Sequence, residues 1–125
     1  MNIKMIFILI LALFFSFGCA EKGDIVSKLE HPECSGVERW ATNMAFVHLK
    51  NSGITSNESL DFNKTKTTRL ASEKMGNNLY VQIHFIVFIE KSGKKIKVIT
   101  RNMASNEECS MSDVEVFVIS KVIGK

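Results

Sequence analysis

Three histidines and three cysteines carry most of the chemistry that this sequence could perform. His31 and Cys34 are spaced H-x-x-C, and His48, His84 and Cys109 could complete a set of metal ligands. Zinc sites usually contain a closely spaced cysteine or histidine pair, such as C-x-x-C or H-x-x-x-H, and this chain has neither. We therefore expect no metal site and no cofactor.

The cysteines favour a disulfide instead. Cys19 lies at the end of a candidate export signal, so it is either removed by cleavage after Ala20 or modified by a lipid. Cys34 and Cys109 then remain as a pair, and an oxidising compartment favours a bridge between them. Such a bridge leaves no free thiolate for a catalytic Cys–His pair.

Residues 1–20 have the order of a secretory signal peptide, with Lys4, an apolar run from Met5 to Phe17, and a small-residue end. A membrane-spanning helix needs about 20 apolar residues, and this run is shorter. We expect export to the periplasm or the medium, with a mature domain over 21–125. The alternative is a lipoprotein held at the membrane through Cys19, whose preceding residues fit that motif poorly.

Tyr80, Gln82 and His84 alternate along one predicted strand, so their side chains would project from the same face. They could line a shallow groove that binds a ligand, with His84 titrating in an accessible range. The alternative is a half-buried histidine whose hydrogen bonds are satisfied within the protein. This alternating set is the candidate ligand face of the sequence.

Five basic residues gather around one predicted hairpin: Lys91, Lys94, Lys95, Lys97 and Arg101. They could bind an anionic partner such as phospholipid headgroups, acidic glycans or an acidic protein. They could equally serve only to protect a sheet edge from aggregation. The formal net charge of the whole chain is +3, which is too small to favour nucleic acid as a partner.

No motif of a common catalytic class occurs in the chain: there is no G-x-S-x-G, Walker loop, zinc-protease motif or calcium loop. Glu107 and Glu108 are adjacent carboxylates, but in a polar loop we expect both to be solvated. Acid–base catalysis needs two environments that push pKa values apart, and no segment indicates them. We therefore expect no catalytic residues and no enzyme.

The elements that position these residues follow from the periodicity of a 125-residue chain, a length that suits one domain. After a polar lead-in over 21–33, Ser35 and Glu38 match a capping box, and Gly53 supplies a stop. These signals predict a helix over 36–50, with Trp40 as its core anchor. Its predicted apolar stripe consists of Val37, Trp40, Ala41, Met44, Val47 and His48.

A sheet is predicted over 64–123. Its strands cover 65–72, 79–90, 95–101 and 114–123, with a turn at 76–78 and a hairpin turn containing Gly93. One face of the second strand is wholly apolar and the other is mixed. The prediction is an α+β fold in which one N-terminal helix packs on a four-stranded antiparallel meander, which resembles the cystatin-like architecture. The Gln-x-Val-x-Gly hairpin of the inhibitory cystatins is absent.

Three segments, at 37–43, 96–100 and 108–121, are similar to a group of small exported bacterial proteins of uncharacterised function. The resemblance implies export and carries no activity or site. We expect an exported non-catalytic protein that binds or inhibits a protein partner in the cell envelope. The alternative is a small-ligand-binding domain or weak hydrolase that uses the Tyr80–Gln82–His84 face, which a deep pocket between sheet and helix would favour.

Overall fold

One helix packs against one face of a four-stranded antiparallel sheet, which confirms the predicted α+β architecture and is compatible with a cystatin-like one. The computed structural model describes residues 31–124, and the predicted signal peptide and most of the lead-in lie outside the described residues. The strands follow one another in the order β1-β2-β3-β4. The elements are α1 (Trp40–Asn51), a 3-10 turn (Phe62–Lys64), β1 (Lys66–Gly76), β2 (Leu79–Ile89), β3 (Lys95–Ala104) and β4 (Glu115–Val118).

The helix begins at Trp40, four residues later than the sequence predicts. The predicted capping box does not form, because the hydroxyl and the amide of Ser35 both donate to the Glu33 carboxylate. In a capping box the hydroxyl would accept from the Glu38 amide, and the Ser35 amide would donate to the Glu38 carboxylate. A serine that finds a local partner of this kind is lost as a helix cap. The helix end agrees with the sequence, since Gly53 adopts a positive φ of 71° and donates to the Lys50 carbonyl.

The buried stripe of the helix is also shifted from the predicted one. The residues that face the sheet are Ala41, Thr42, Ala45 and Leu49, whereas Val37 is exposed. Trp40 is half-buried at the rim, where its indole N–H donates to the Ser112 carbonyl at 2.9 Å, so it is not the core anchor. Small side chains at the contact let the helix lie close to a sheet whose own side chains are large.

The two faces of the sheet follow from the alternation of β2. The even-numbered residues, Tyr80 to Phe88, are buried beneath the helix and form the inner face. The odd-numbered residues, Leu79 to Ile89, are half-buried and form the outer face. The apolar core lies on the inner face and contains Ala45, Leu49, Leu60, Ile86, Phe88, Ile96 and Val98.

The edge strands differ in length from their predicted counterparts. β1 continues to Gly76 and has two irregularities, between Arg69 and Ala71 and between Lys74 and Gly76. β4 is short and ends at Val118, after which Val122 and Ile123 are exposed. None of the helices in the described part of the chain is long and apolar enough to cross a membrane.

Candidate functional site

Cys34 and Cys109 form the disulfide that the sequence predicts, with 5.7 Å between their Cα atoms. The bridge uses both thiols, so the H-x-x-C pair offers no cysteine ligand to a metal. Within residues 31–124 no group of three His, Cys, Asp or Glu side chains could hold a metal ion. The bridge instead joins the segment before the helix to the connection between β3 and β4.

The segment 31–34, which we call the strap, crosses the inner side of β1 and β2. The Pro32 carbonyl accepts hydrogen bonds from Arg69 Nη1 at 2.9 Å and from Gln82 Nε2 at 2.7 Å. His31 Nδ1 lies 2.9 Å from the Ser72 hydroxyl, and its ring meets Tyr80 edge-on. Together with the disulfide, these contacts tie the strap to the sheet at both ends.

Tyr80, Gln82 and His84 lie on the inner face and are at most 3% exposed, so they do not line an open groove. The expectation of an exposed ligand face is corrected here. The strap and the first turns of α1 cover the part of the inner face that carries these side chains. Alternation shows which residues share a face, but it does not show which face the helix covers.

Gln82 and His84 belong to a buried polar quartet on the two central strands. Their direct partners across the ladder are Asn102 and Thr100, and all four side chains are at most 2% exposed. Gln82 Oε1, Asn102 Oδ1, Thr100 Oγ1 and both His84 ring nitrogens have no hydrogen-bond partner among the described residues. Buried polar atoms are costly unless they are paired, so these unpartnered atoms count against the stability of the inner face.

The pKa of His84 is lowered to about 4, first by burial and then by the positive charge of Arg69, which lies directly opposite on β1. The Glu33 carboxylate in the strap acts in the opposite direction and raises it. A buried histidine in this setting is neutral at pH 7. Protonating it would place a second positive charge beside Arg69.

We expect acid to destabilise the protein through His84. Because its pKa is lower folded (about 4) than unfolded (6.5), the neutral form contributes stability that is complete above pH 6.5 and is lost as the pH falls toward 4. Between pH 7 and 4.5 this loss is about 2 kcal/mol. Urea unfolding of the protein and of His84→Gln at both pH values measures it. The variant should lose less stability on acidification, whereas His48→Gln, at an exposed position, should behave as the unmodified protein does.

The basic hairpin residues do not form one uniform patch. Lys94 lies 3.8 Å from the Glu90 carboxylate, and Arg101 pairs with Glu115 at 2.8 Å. Lys95 and Lys97 of β3 lie on the outer face. A further lysine on that face, Lys66, comes from β1 and not from the hairpin. Lys66 of β1 and Lys97 of β3 both lie opposite Val87, one on each side of it.

The outer face has an apolar centre that no described element covers. The row that crosses it consists of Thr68, Phe85, Ile99 and Phe117, and Phe117 is 56% exposed. Val81, Ile83 and Val87 extend the apolar surface along β2. The sequence shows that these residues share a face, but only the position of α1 shows that this face is the open one.

A cleft of about 560 Å³ lies beside the disulfide. Its walls come from the strap, the start of α1 and the β3–β4 connection, and they include Glu33, Arg39, Trp40, Glu107 and Glu108. A hydrogen bond from the Ser35 hydroxyl is the main cause that lowers the pKa of Glu33. Glu33 is therefore ionised at neutral pH and is not a general acid.

Comparison of the chain with protein-family models, with curated proteins and with solved structures finds no match. The function is therefore inferred from the surfaces of this molecule. Of these surfaces, the outer face combines a row of apolar side chains on adjacent strands, of which Phe117 is the exposed one, with lysines that have no ion-pair partner among the described residues.

Proposed function

We propose that this protein is an exported, non-catalytic binding module that docks a protein partner of the cell envelope on the outer face of its sheet. The observation that carries the proposal is the apolar row of Phe85, Ile99 and Phe117 across three adjacent strands, which no element within residues 31–124 covers. Contiguous apolar surface of this kind marks interaction sites in proteins that fold in water. Inhibition of the partner would be one form of this binding.

The charges around the apolar centre indicate the character of the partner. Lys66, Lys95 and Lys97 surround Val87 and Ile89 at the end of the outer face that lies next to the β2–β3 hairpin. No acidic residue of the described strands faces outward at that end. We infer a partner surface that is apolar in the middle and carries carboxylates opposite these lysines, because complementary potentials give specificity and speed association.

The disulfide supports the export part of this proposal. A bridge between Cys34 and Cys109 is compatible with a protein outside the cytoplasm, where thiols are oxidised. Membrane attachment enters the proposal only as lipid modification of Cys19.

The second candidate is a small-ligand-binding domain, and the unpartnered polar atoms of the quartet favour it. A ligand there would have to reach Gln82, His84, Thr100 and Asn102 beneath the strap. The Pro32 hydrogen bonds and the disulfide hold that strap closed. The outer face needs no such rearrangement, and it is therefore the better supported site.

Affinity capture from an envelope extract, with the protein and matched variants as baits, tests the proposal. A partner that binds the outer face should be lost with Phe85→Gln and with the double variant Lys66→Glu/Lys97→Glu. The control is Lys74→Glu, which reverses the same charge on the same strand but at a position paired with Tyr80 of the inner face. It should keep the partner.

The captured protein is then purified and its affinity is measured by calorimetry. We expect at least about a tenfold loss for each outer-face variant, since truncating a central contact typically costs over about 1.4 kcal/mol. Binding should also weaken with added salt. The proposal is wrong if the outer-face variants keep every captured protein, or if Lys74→Glu loses it equally.

A further inference from the structure

The two free edges of the sheet are built differently. The edge of β1 has two irregularities and carries exposed charged side chains on Lys66, Glu73 and Lys74. Proteins commonly protect an edge in this way so that other strands do not pair with it. The edge of β4 is regular, and the stretch from Val116 to Ile119 has no charged residue. β4, a strand of four residues, therefore carries neither the irregularities nor the repeated charges of β1, and Glu115 is its one charged residue.

The backbone of β4 offers hydrogen-bonding groups to a further strand. The Ile119 amide donates to the Lys97 carbonyl at 2.8 Å, so the amide of residue 119 faces β3. The direction of the backbone N–H and C=O groups alternates along an antiparallel strand. The backbone groups of Phe117 therefore also point toward β3, and those of Val116 and Val118 point toward the free edge. No other described strand lies on that side of β4.

We propose that this edge pairs with the same edge of a second copy of this chain, antiparallel around a two-fold axis at Phe117. The two four-stranded sheets then become one continuous sheet. Val116 lies opposite the partner subunit's Val118, and the two residues exchange both of their backbone hydrogen bonds. Phe117 lies opposite the partner subunit's Phe117 in a pair without backbone hydrogen bonds, where side chains come closest.

The charges that flank β4 are complementary in this register. Asp113 lies opposite the partner subunit's Lys121, and by symmetry Lys121 lies opposite its Asp113. Both residues are exposed, and neither has an ion-pair partner among the described residues. Glu115 faces the partner subunit's Ile119 and keeps its own pair with Arg101. An axis moved to residue 115 would instead oppose two glutamates, which is unfavourable.

This inference is independent of the proposed function. It concerns the edge of β4, whereas the envelope partner is proposed for the face centred on Phe85. The two surfaces are continuous through Phe117. Pairing would therefore place two outer faces side by side, and a partner with repeated sites could engage both of them.

The first test is sedimentation of the disulfide-bonded protein. We expect a species of twice the monomer mass. Val118→Pro removes an amide hydrogen that faces the edge and not β3, so the ladder with β3 is kept. It should weaken dimerisation at least about tenfold, because each copy loses a hydrogen bond and gains a ring at the contact. Val118→Thr, which keeps the amide, should remain dimeric. A monomeric unmodified protein, or a dimeric Val118→Pro, would overturn the pairing.

The register has its own test. Asp113→Lys and Lys121→Asp should each weaken the dimer, and the double variant should recover it, because the pair is only reversed. Phe117→Cys should form a disulfide between copies on oxidation, since directly opposite Cα atoms lie within disulfide reach. Glu115→Cys should not, because the two introduced thiols would be four positions apart. Equal cross-linking by both variants, or no recovery in the double variant, contradicts the proposed axis.

Discussion

Phe88→Ala is expected to lower the free energy of unfolding by about 4 kcal/mol. Phe88 is 1% exposed on the inner face and packs in the core with Leu49, Leu60 and Phe46. Its truncation leaves a cavity that helix and sheet cannot close, because the Leu60 segment is held by a bridge to Glu90 at the end of the same strand. Urea unfolding followed by circular dichroism measures the loss.

Phe85→Ala is the matched control, since it removes the same side chain from the same strand on the outer face. We expect a loss of only about 1 kcal/mol, because Phe85 is half-buried and no described helix packs against it. The reverse order of the two losses would mean that the core lies on the odd-numbered face. That result would also remove the basis of the proposed docking surface.

Cys34→Ser and Cys109→Ser are each expected to cost about 4 kcal/mol, which is a large share of the stability of a small domain. The two cysteines lie 75 positions apart, so their bridge removes a large amount of freedom from the unfolded chain. The double variant should be no less stable than the less stable of the two single variants, because each change breaks the same bond. Denaturant titration of the three variants under oxidising conditions tests this expectation.

Thiol counting supplies the control for the disulfide variants. The denatured, non-reduced protein should show no reactive thiol from residues 34 and 109, and each single variant should show one. Losses that add strictly in the double variant would show that the two cysteines act separately. Cys34 is nearly fully buried, so its replacement by serine also buries a hydroxyl group. If Cys34→Ser loses more unfolding free energy than Cys109→Ser, the difference measures the cost of burying that hydroxyl.

The strand pattern was the most informative part of the sequence. Alternation over β2, a glycine in the following turn and alternation over β3 place the central hairpin within one residue of its observed limits, except that β3 continues three residues further, to Ala104. Gly93 does adopt the positive φ that the turn requires. The disulfide was predictable for a different reason, because the predicted export signal would remove or modify Cys19 and leave a single pair of cysteines.

What the sequence could not predict depends on contacts between distant segments. Gln82 donates a hydrogen bond to the carbonyl of Pro32, which lies 50 positions away, and no local sequence pattern predicts that contact. The sequence also does not show which face of the sheet the helix covers. Residues alternate between the mixed face and the apolar face of β2 with equal regularity, so either face could be the buried one. The sequence analysis did not include Lys66 among the basic residues near Lys97. The two lysines share a row of the outer face only because of the register between β1 and β2.

The disulfide encloses the helix and the first three strands in one covalent ring, and β4 lies outside that ring. Among the described residues, the C-terminal end is held by non-covalent contacts alone: the ladder with β3, the Arg101–Glu115 ion pair, the Trp40 hydrogen bond to Ser112 and the packing of Val114 and Val116. This end can therefore open locally with less free energy than global unfolding requires. Since the same end supplies the proposed contact with a second copy, association would raise the opening free energy there and leave the ring unchanged. The ring would then be stabilised by the disulfide at every protein concentration, whereas the C-terminal end would be stabilised only at concentrations at which two copies associate.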